Sequence, residues 1–138
     1  ATDVSRSALQ VAKRNARLHH VKVDFRLTDL FCNLPERYFN LIISNPPYVA
    51  KDEVKYMDSS VLDYEPHLAL FARRHGLLMY QRIARNYRNY LKPNGQLYLE
   101  IGFRQKRSVC QIFKSYFSKA RISVRKDLAG HFRMVRVD

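Results

Sequence analysis

The sequence is poor in glycine, cysteine and acidic residues, and it lacks long apolar runs. Its two cysteines, Cys32 and Cys110, lie far apart without C-x-x-C spacing, and its five histidines show no H-E-x-x-H spacing. This argues against a disulfide framework or a metal site. No apolar run approaches the roughly 20 residues of a membrane helix, and no signal segment opens the chain. We therefore expect a cytosolic protein without a metal ion or a membrane contact.

The net charge of the chain is strongly positive. Among 138 residues, 25 are lysine or arginine and 12 are aspartate or glutamate, which gives a formal net charge of +13. The electric field of such a charge favours the binding of polyanionic partners. The basic residues are spread along the chain, so a nucleic-acid or ribosome contact and ordinary solvated helix faces both remain open.

The apolar pattern predicts one α/β domain over residues 1–138. Helical spacing covers residues 5–19, 75–91 and 104–117, and in the last of these Tyr116 is among the residues expected to face inward. Strands are predicted at 21–27, 39–44, 96–102, 121–127 and 132–137, and the near-continuous apolar run at 39–44 is typical of a strand covered on both faces. The alternation of strands and helices, ending in two consecutive strands, predicts a doubly wound and mostly parallel sheet with an antiparallel edge. Residues 45–66 are predicted to form a functional loop or lid.

Polar side chains fall where predicted strands end. Asp3 ends a first extended stub, Asp29 follows the strand at 21–27, and Asn45 follows the strand at 39–44. Ligands of open α/β sheets collect at this edge. A carboxylate at Asp3 can accept both ribose hydroxyls and one at Asp29 can accept from an exocyclic amine, although aspartates also cap helices and form turns. Together they suggest a cofactor that contains a nucleoside.

The tetrapeptide Asn45-Pro46-Pro47-Tyr48 carries the most specific chemistry. The Asn45 side-chain oxygen and the Pro46 carbonyl can accept hydrogen bonds from a planar NH2 group and aim its nitrogen at an electrophile. The prolines fix the turn, and Tyr48 can stack on a flat amide or base. This arrangement suits methylation of an amide or aromatic amine by a sulfonium donor.

The chain resembles the catalytic domain of the HemK-type glutamine methyltransferases. The matching segments are "ATDVSRSALQVAKRNA", "TDLF", "FNLIISNPPYV", "EPHLAL", "LKPNGQLYLEIGFRQ" and "DLAGHFRMV". The resemblance implies a Rossmann-like methyltransferase fold that uses S-adenosylmethionine. It also implies a protein substrate, the glutamine side-chain amide in the Gly-Gly-Gln loop of peptide chain release factors.

For the cofactor, the resemblance implies that Asp3 binds the ribose and that Asp29 with Leu30 lies along the adenine. Many relatives have an aromatic residue at or beside position 30, so either Leu30 or Phe31 supplies that contact. Asn45 would touch both cofactor and substrate.

For the substrate, the resemblance implies that Asn45, Pro46, Pro47 and Tyr48 hold the glutamine amide and act as the catalytic group. Glu65 and Pro66 would form part of the pocket wall, with a turn role equally open. Glu100 and Gln105 are expected to organise hydrogen bonds and not to react.

Two departures from the family pattern stand out. Relatives carry a glycine-rich turn where this chain has "FARRHG", and they begin the domain with a strand and a Gly-x-Gly-x-Gly loop, whereas the four glycines here are scattered. We therefore expect a partial domain that lacks the first strand and the cofactor loop. That absence would leave the strand at 39–44 with an unpaired edge.

Two other functions remain open. N-P-P-Y also occurs in adenine methyltransferases, which predicts RNA or DNA as an alternative substrate. An inactive truncated remnant that binds partners through its basic surface is the third interpretation. The expected location is the cytoplasm, or the mitochondrial matrix if an upstream targeting segment is missing.

Overall fold

The computed structural model describes residues 1–36 and 38–138, except for the side chains of residues 51 and 56. The chain divides into two compact units, Ala1–Pro35 and Glu36–Asp138. Within the described residues, no helix is long and apolar enough to cross a membrane.

The first unit is a small β-α-β element. Strand β1 (Thr2–Asp3) pairs in parallel with β2 (Arg26–Leu27), and helix α1 (Arg6–Leu18) connects them. Ser5 caps α1, because its hydroxyl accepts the Ala8 N–H at 3.2 Å. Leu9 is the buried residue of the helix.

The predicted strand at 21–27 is wrong for residues 21–25. The neighbouring strand β1 is only two residues long, so it offers pairing partners to Arg26 and Leu27 alone. Val21 and Val23 consequently remain exposed. Apolar alternation without a partner strand does not form a sheet.

The second unit contains a four-stranded sheet. Its strands are β3 (Phe39–Ser44), β4 (Leu91–Glu100), β5 (Ile122–Lys126) and β6 (Phe132–Val137), in the order β3-β4-β6-β5. β3 and β4 pair in parallel, whereas β6 is antiparallel to both β4 and β5. The predicted α/β class and antiparallel edge are confirmed.

The two helices predicted in the second unit are confirmed as α4 (Leu78–Tyr90) and α5 (Lys106–Tyr116). Two short helices were not predicted: α2 (Ser59–Tyr64) and α3 (His67–Leu70). α2 and a 3-10 turn at Lys51–Tyr56 lie within residues 45–66, where a loop or lid was predicted. α4 ends directly before "LKPNG", as the proline predicts. α4 and α5 contribute Tyr80, Ile83, Tyr87, Val109 and Phe113 to the core, where β4 and β6 contribute Leu97, Leu99, Val135 and Val137.

Two burial predictions for this unit are wrong. Strand β3 is not covered on both faces, since Leu41 is 47% exposed and Ile43 is 73% exposed at the edge of the sheet. Tyr116 is 46% exposed although it lies on the same side of α5 as the buried Val109 and Phe113, since it is the last residue of the helix.

Candidate active site

The Asn-Pro-Pro-Tyr segment begins where β3 ends. Ser44 is the last strand residue, and Asn45 follows it directly with an exposed side chain. Pro46 is buried and Pro47 half-buried. The two rings restrict φ at successive positions, so the bend that presents Asn45 is stiff and its amide is open to a ligand.

Val49, which follows the tetrapeptide, connects the bend to the end of the "EPHLAL" segment through two backbone hydrogen bonds. The Val49 N–H donates to the Leu70 carbonyl at 2.9 Å, and the Ala72 N–H donates to the Val49 carbonyl at 3.0 Å. Glu65 and Pro66 are exposed where α2 meets α3. Their contact with a substrate stays a prediction.

Tyr48 is held through its side chain. Its hydroxyl donates to Glu100 Oε1 at 3.0 Å, and the Tyr80 hydroxyl donates to the backbone oxygen of Glu100 at 3.0 Å. Burial, followed by the hydrogen bond to Glu100, raises the pKa of Tyr48 above its usual value. The Tyr48 phenol is therefore neutral at physiological pH, and its ring has a fixed direction.

Tyr48 is also held through its backbone. Gln105 Nε2 donates to the Tyr48 carbonyl at 2.9 Å, while Gln105 Oε1 accepts the Gly102 N–H at 3.0 Å. Gly76, with φ of +77°, approaches the same carbonyl so closely that a Cβ would overlap it. The prediction that Glu100 and Gln105 organise hydrogen bonds is thus confirmed.

Sequence reasoning missed two members of this network, Tyr80 and Arg133. Arg133 donates from Nη1 to the Ile101 carbonyl at 3.1 Å and from Nε to Asp127 Oδ2 at 3.2 Å. Its positive charge partly opposes the rise in the pKa of Tyr48. Only the quoted segment "DLAGHFRMV" gave a signal for Arg133, and nothing distinguished Tyr80 from other core tyrosines.

A cavity of about 250 Å³ lies beside the fixed tyrosine. Its walls combine apolar surface with charged and amide groups, and they include Tyr48, Glu53, Met57, Phe103, Gln105 and Arg133. Of the tetrapeptide, Tyr48 alone lines the described part of this cavity. Asn45 instead faces solvent at the end of β3.

The predicted cofactor residues lie in the first unit. Asp3 ends β1 and Asp29 follows two residues after the end of β2, so the parallel pairing brings both to one edge. Asp3 Oδ1 accepts the Ser5 N–H at 2.7 Å. Leu30 adopts a left-handed φ of +50°, and Leu30 and Phe31 are half-buried.

This set of groups fits the nucleoside part of S-adenosylmethionine. Carboxylates at adjacent strand ends can accept from ribose hydroxyls and from an adenine amine, and the half-buried Leu30 and Phe31 offer apolar surface to a flat base. Within the described residues no group of three histidine, cysteine or acidic side chains could hold a metal ion.

Comparison with known sequences identifies methyltransferases. The family model for the Methyltransferase small domain matches residues 1–62. Release factor glutamine methyltransferases of Lactococcus lactis and Streptococcus pneumoniae are 42% and 40% identical over 137 and 138 residues, which is 99% and 100% of this chain. A bifunctional methyltransferase of Rickettsia felis is 44% identical over 98% of the chain and 26% of its own length. The chain covers 50% and 49% of the first two relatives, so it spans about half of their length.

Solved structures support the same fold. A ribosomal protein L11 methylase from Lactobacillus delbrueckii matches 100% of this chain and 55% of its own, with a TM-score of 0.67 and 17% identity. A methyltransferase from Pyrococcus furiosus matches 99% of this chain and 59% of its own, with a TM-score of 0.67 and 18% identity. The chain is therefore similar over its whole length to release factor glutamine methyltransferases, about half of whose length it spans, and it has a methyltransferase fold.

Proposed function

We propose that the chain is part of an S-adenosylmethionine-dependent methyltransferase that modifies the glutamine amide in the Gly-Gly-Gln loop of peptide chain release factors. The observation that carries the proposal is the bend from Asn45 to Tyr48, which follows β3 and is fixed at Tyr48 by Glu100 and Gln105. Relatives that are 40% and 42% identical bear the name of this activity.

The cofactor would be held by the first unit. Asp3 would accept the ribose hydroxyls, Asp29 would accept the adenine amine, and Leu30 or Phe31 would lie against the adenine. When bound, S-adenosylmethionine supplies an electrophilic methyl group on a sulfonium centre.

Orientation of the amide is the task of the bend. Asn45 Oδ1 and the Pro46 carbonyl would each accept a hydrogen bond from the substrate NH2 group, which points the nitrogen lone pair along the methyl-sulfur axis. The same oxygens would stabilise the positive charge that develops on nitrogen in the transition state.

No strong base is needed for this reaction. The methylated amide nitrogen is very acidic, so its proton leaves to water after transfer. Tyr48 stays protonated because burial raises its pKa, and its hydroxyl is engaged by Glu100. Both side chains therefore position the bend. The reaction would take place where translation occurs, in the cytoplasm or, behind a targeting segment, in the mitochondrial matrix.

Transfer of a labelled methyl group tests the proposal. We expect label in an intact release factor and none in one whose Gly-Gly-Gln glutamine is replaced by alanine. Asn45→Ala should lower kcat by about 100-fold, the usual loss for one preorganised hydrogen-bonding group. Asn40→Ala is the matched control, because Asn40 is also an exposed asparagine and lies within β3. Equal activity of the two variants would contradict the role of Asn45.

The net charge of +13 favours a second candidate, an adenine methyltransferase acting on RNA or DNA. Planar amines of adenine and glutamine could use the same acceptors. Offering release factor and nucleic acid in one reaction separates the two. Label in the nucleic acid alone would replace the first proposal with the second, and label in neither would favour an inactive remnant.

A further inference from the structure

The two long helices of the second unit contain no acidic residue. α4 and α5 together carry six lysines and arginines, and between residues 66 and 126 Glu100 is the single acidic residue against fourteen basic ones. The side chain of Glu100 accepts the Tyr48 hydroxyl and is only partly exposed. The positive charge of this region is therefore uncompensated by its own sequence.

The two helices lie side by side. The ring of Tyr87 on α4 meets the ring of Phe113 on α5 edge-on, with centroids 5.6 Å apart. At the ends of the helices, the Arg88 guanidinium lies 4.4 Å from the centroid of the Phe117 ring. The basic helix face, which we define as Arg85, Arg88, Arg107 and Lys114, is exposed to solvent on this helix pair.

Ordinary surface helices pair such cations with acidic residues three or four positions away. Here Arg85 and Arg88 are like charges three positions apart, and no member of the face has an acidic partner within the described residues. Arg88 and Lys114 lie in the last turns, where cations complement the helix dipole. Arg85 and Arg107 have no such explanation.

The rest of the outer surface indicates which polyanion fits. The apolar stripes of both helices are buried in the core, and the outward positions between the cations are mainly polar, such as Asn89, Gln111 and Ser115. A helix that binds a lipid surface needs an outward apolar face to insert. A nucleic-acid backbone needs cations and hydrogen-bonding groups.

We propose that the basic helix face is a docking surface for the sugar-phosphate backbone of a nucleic-acid duplex. Arg107 and Lys114 are seven residues apart, a helix length of about 10 Å over which one duplex strand presents about three phosphates. The proposed contacts are made to phosphates, which position a protein on the duplex and carry no sequence information. This function is separate from methyl transfer and does not depend on it.

The variant R85Q/R107Q/K114Q tests the surface, since all three side chains are exposed. The matched control K13Q/R14Q/R17Q removes three exposed cations from helix α1. Fluorescence anisotropy with a labelled RNA duplex and a DNA duplex is measured over a series of salt concentrations. The slope of log K against log salt should fall by about 2 to 3 in magnitude for the test variant, at about 0.9 per lost phosphate contact. It should stay unchanged for the control.

Acetylation of the wild-type protein supplies a second measurement that needs no variant. A bound duplex should protect Lys114 and leave Lys13 reactive. Protection of both lysines, equal loss of slope in both triple variants, or binding to anionic vesicles without binding to either duplex would each overturn the proposal. Comparison of the two duplexes shows whether RNA or DNA is preferred.

Discussion

At the scale of single residues, Tyr48 connects the sequence motif to the rest of the second unit. Its hydroxyl is bound by Glu100, and its carbonyl is bound by Gln105. The prolines stiffen the bend locally, but local stiffness does not fix its direction relative to the sheet. The two contacts from the end of β4 and the start of α5 supply that direction.

Glu100→Gln should lower the pKa of Tyr48. The carboxylate raises this pKa by hydrogen bonding and by its charge, whereas the larger effect of burial remains in the variant. The expected result is a pKa that moves toward the usual value near 10 without reaching it. A ¹³Cζ-tyrosine NMR titration measures the change.

The matched control for this titration is Glu65→Gln, which removes an exposed carboxylate. It should leave the Tyr48 titration unaltered. If Glu100→Gln leaves the Tyr48 pKa where it is in the wild type, the hydroxyl is not held by Glu100.

The candidate site could be predicted from sequence only where its signal is local. Asn45 to Tyr48 lie together in the chain, and Asp3 and Asp29 follow short strands. The residues that hold Tyr48 come from 52 and 57 positions further along the chain, and no periodicity links them to the motif. The resemblance, and not the spacing, singled out the segment that contains them.

At the scale of elements, most helices and strands were predictable because each has an apolar face that another element covers. The helices and strands that the apolar spacing predicts at α4, α5, β3 and β6 agree with the observed elements to within a few residues. The strand prediction was wrong for residues 21–25 because a strand also requires a neighbouring strand, which its own sequence does not encode. The exposure of Ile43 has the same origin, since burial depends on what lies above the sheet.

The turn before α4 gives a prediction at this scale. Gly76→Ala places a methyl group against the Tyr48 carbonyl in a left-handed residue. The left-handed conformation costs an alanine about 1 to 2 kcal/mol, and the overlap adds about 1 to 3 kcal/mol. Urea unfolding should therefore show a clear loss of stability, and methyl transfer should fall with it.

Gly130→Ala separates these two costs. Gly130 is also left-handed, with φ of +83°, and has no atom within 4 Å of an added Cβ. It should show the conformational cost alone. Equal destabilisation by Gly76→Ala and Gly130→Ala would mean that the approach of Gly76 to Tyr48 contributes nothing to stability.

At the scale of the whole molecule, the net charge and the exposed edge of the sheet have opposite effects on self-association. A net charge of +13 makes copies of the chain repel one another, and salt screens this repulsion. β3 offers a sheet edge with Leu41 and Ile43 exposed, a surface that favours pairing between copies. The organisation as one domain over residues 1–138 stays a prediction.

We therefore expect self-association that increases with salt, and Ile43→Lys should suppress it. The substitution places a charge on the 73% exposed side chain of an edge strand without disturbing the core. Val11→Lys is the matched control, because it adds the same charge at a half-exposed valine on α1. Sedimentation velocity at low and high salt should show a smaller associated fraction for Ile43→Lys alone. An equal decrease in both variants would assign the effect to net charge, and β3 would then have no part in the association.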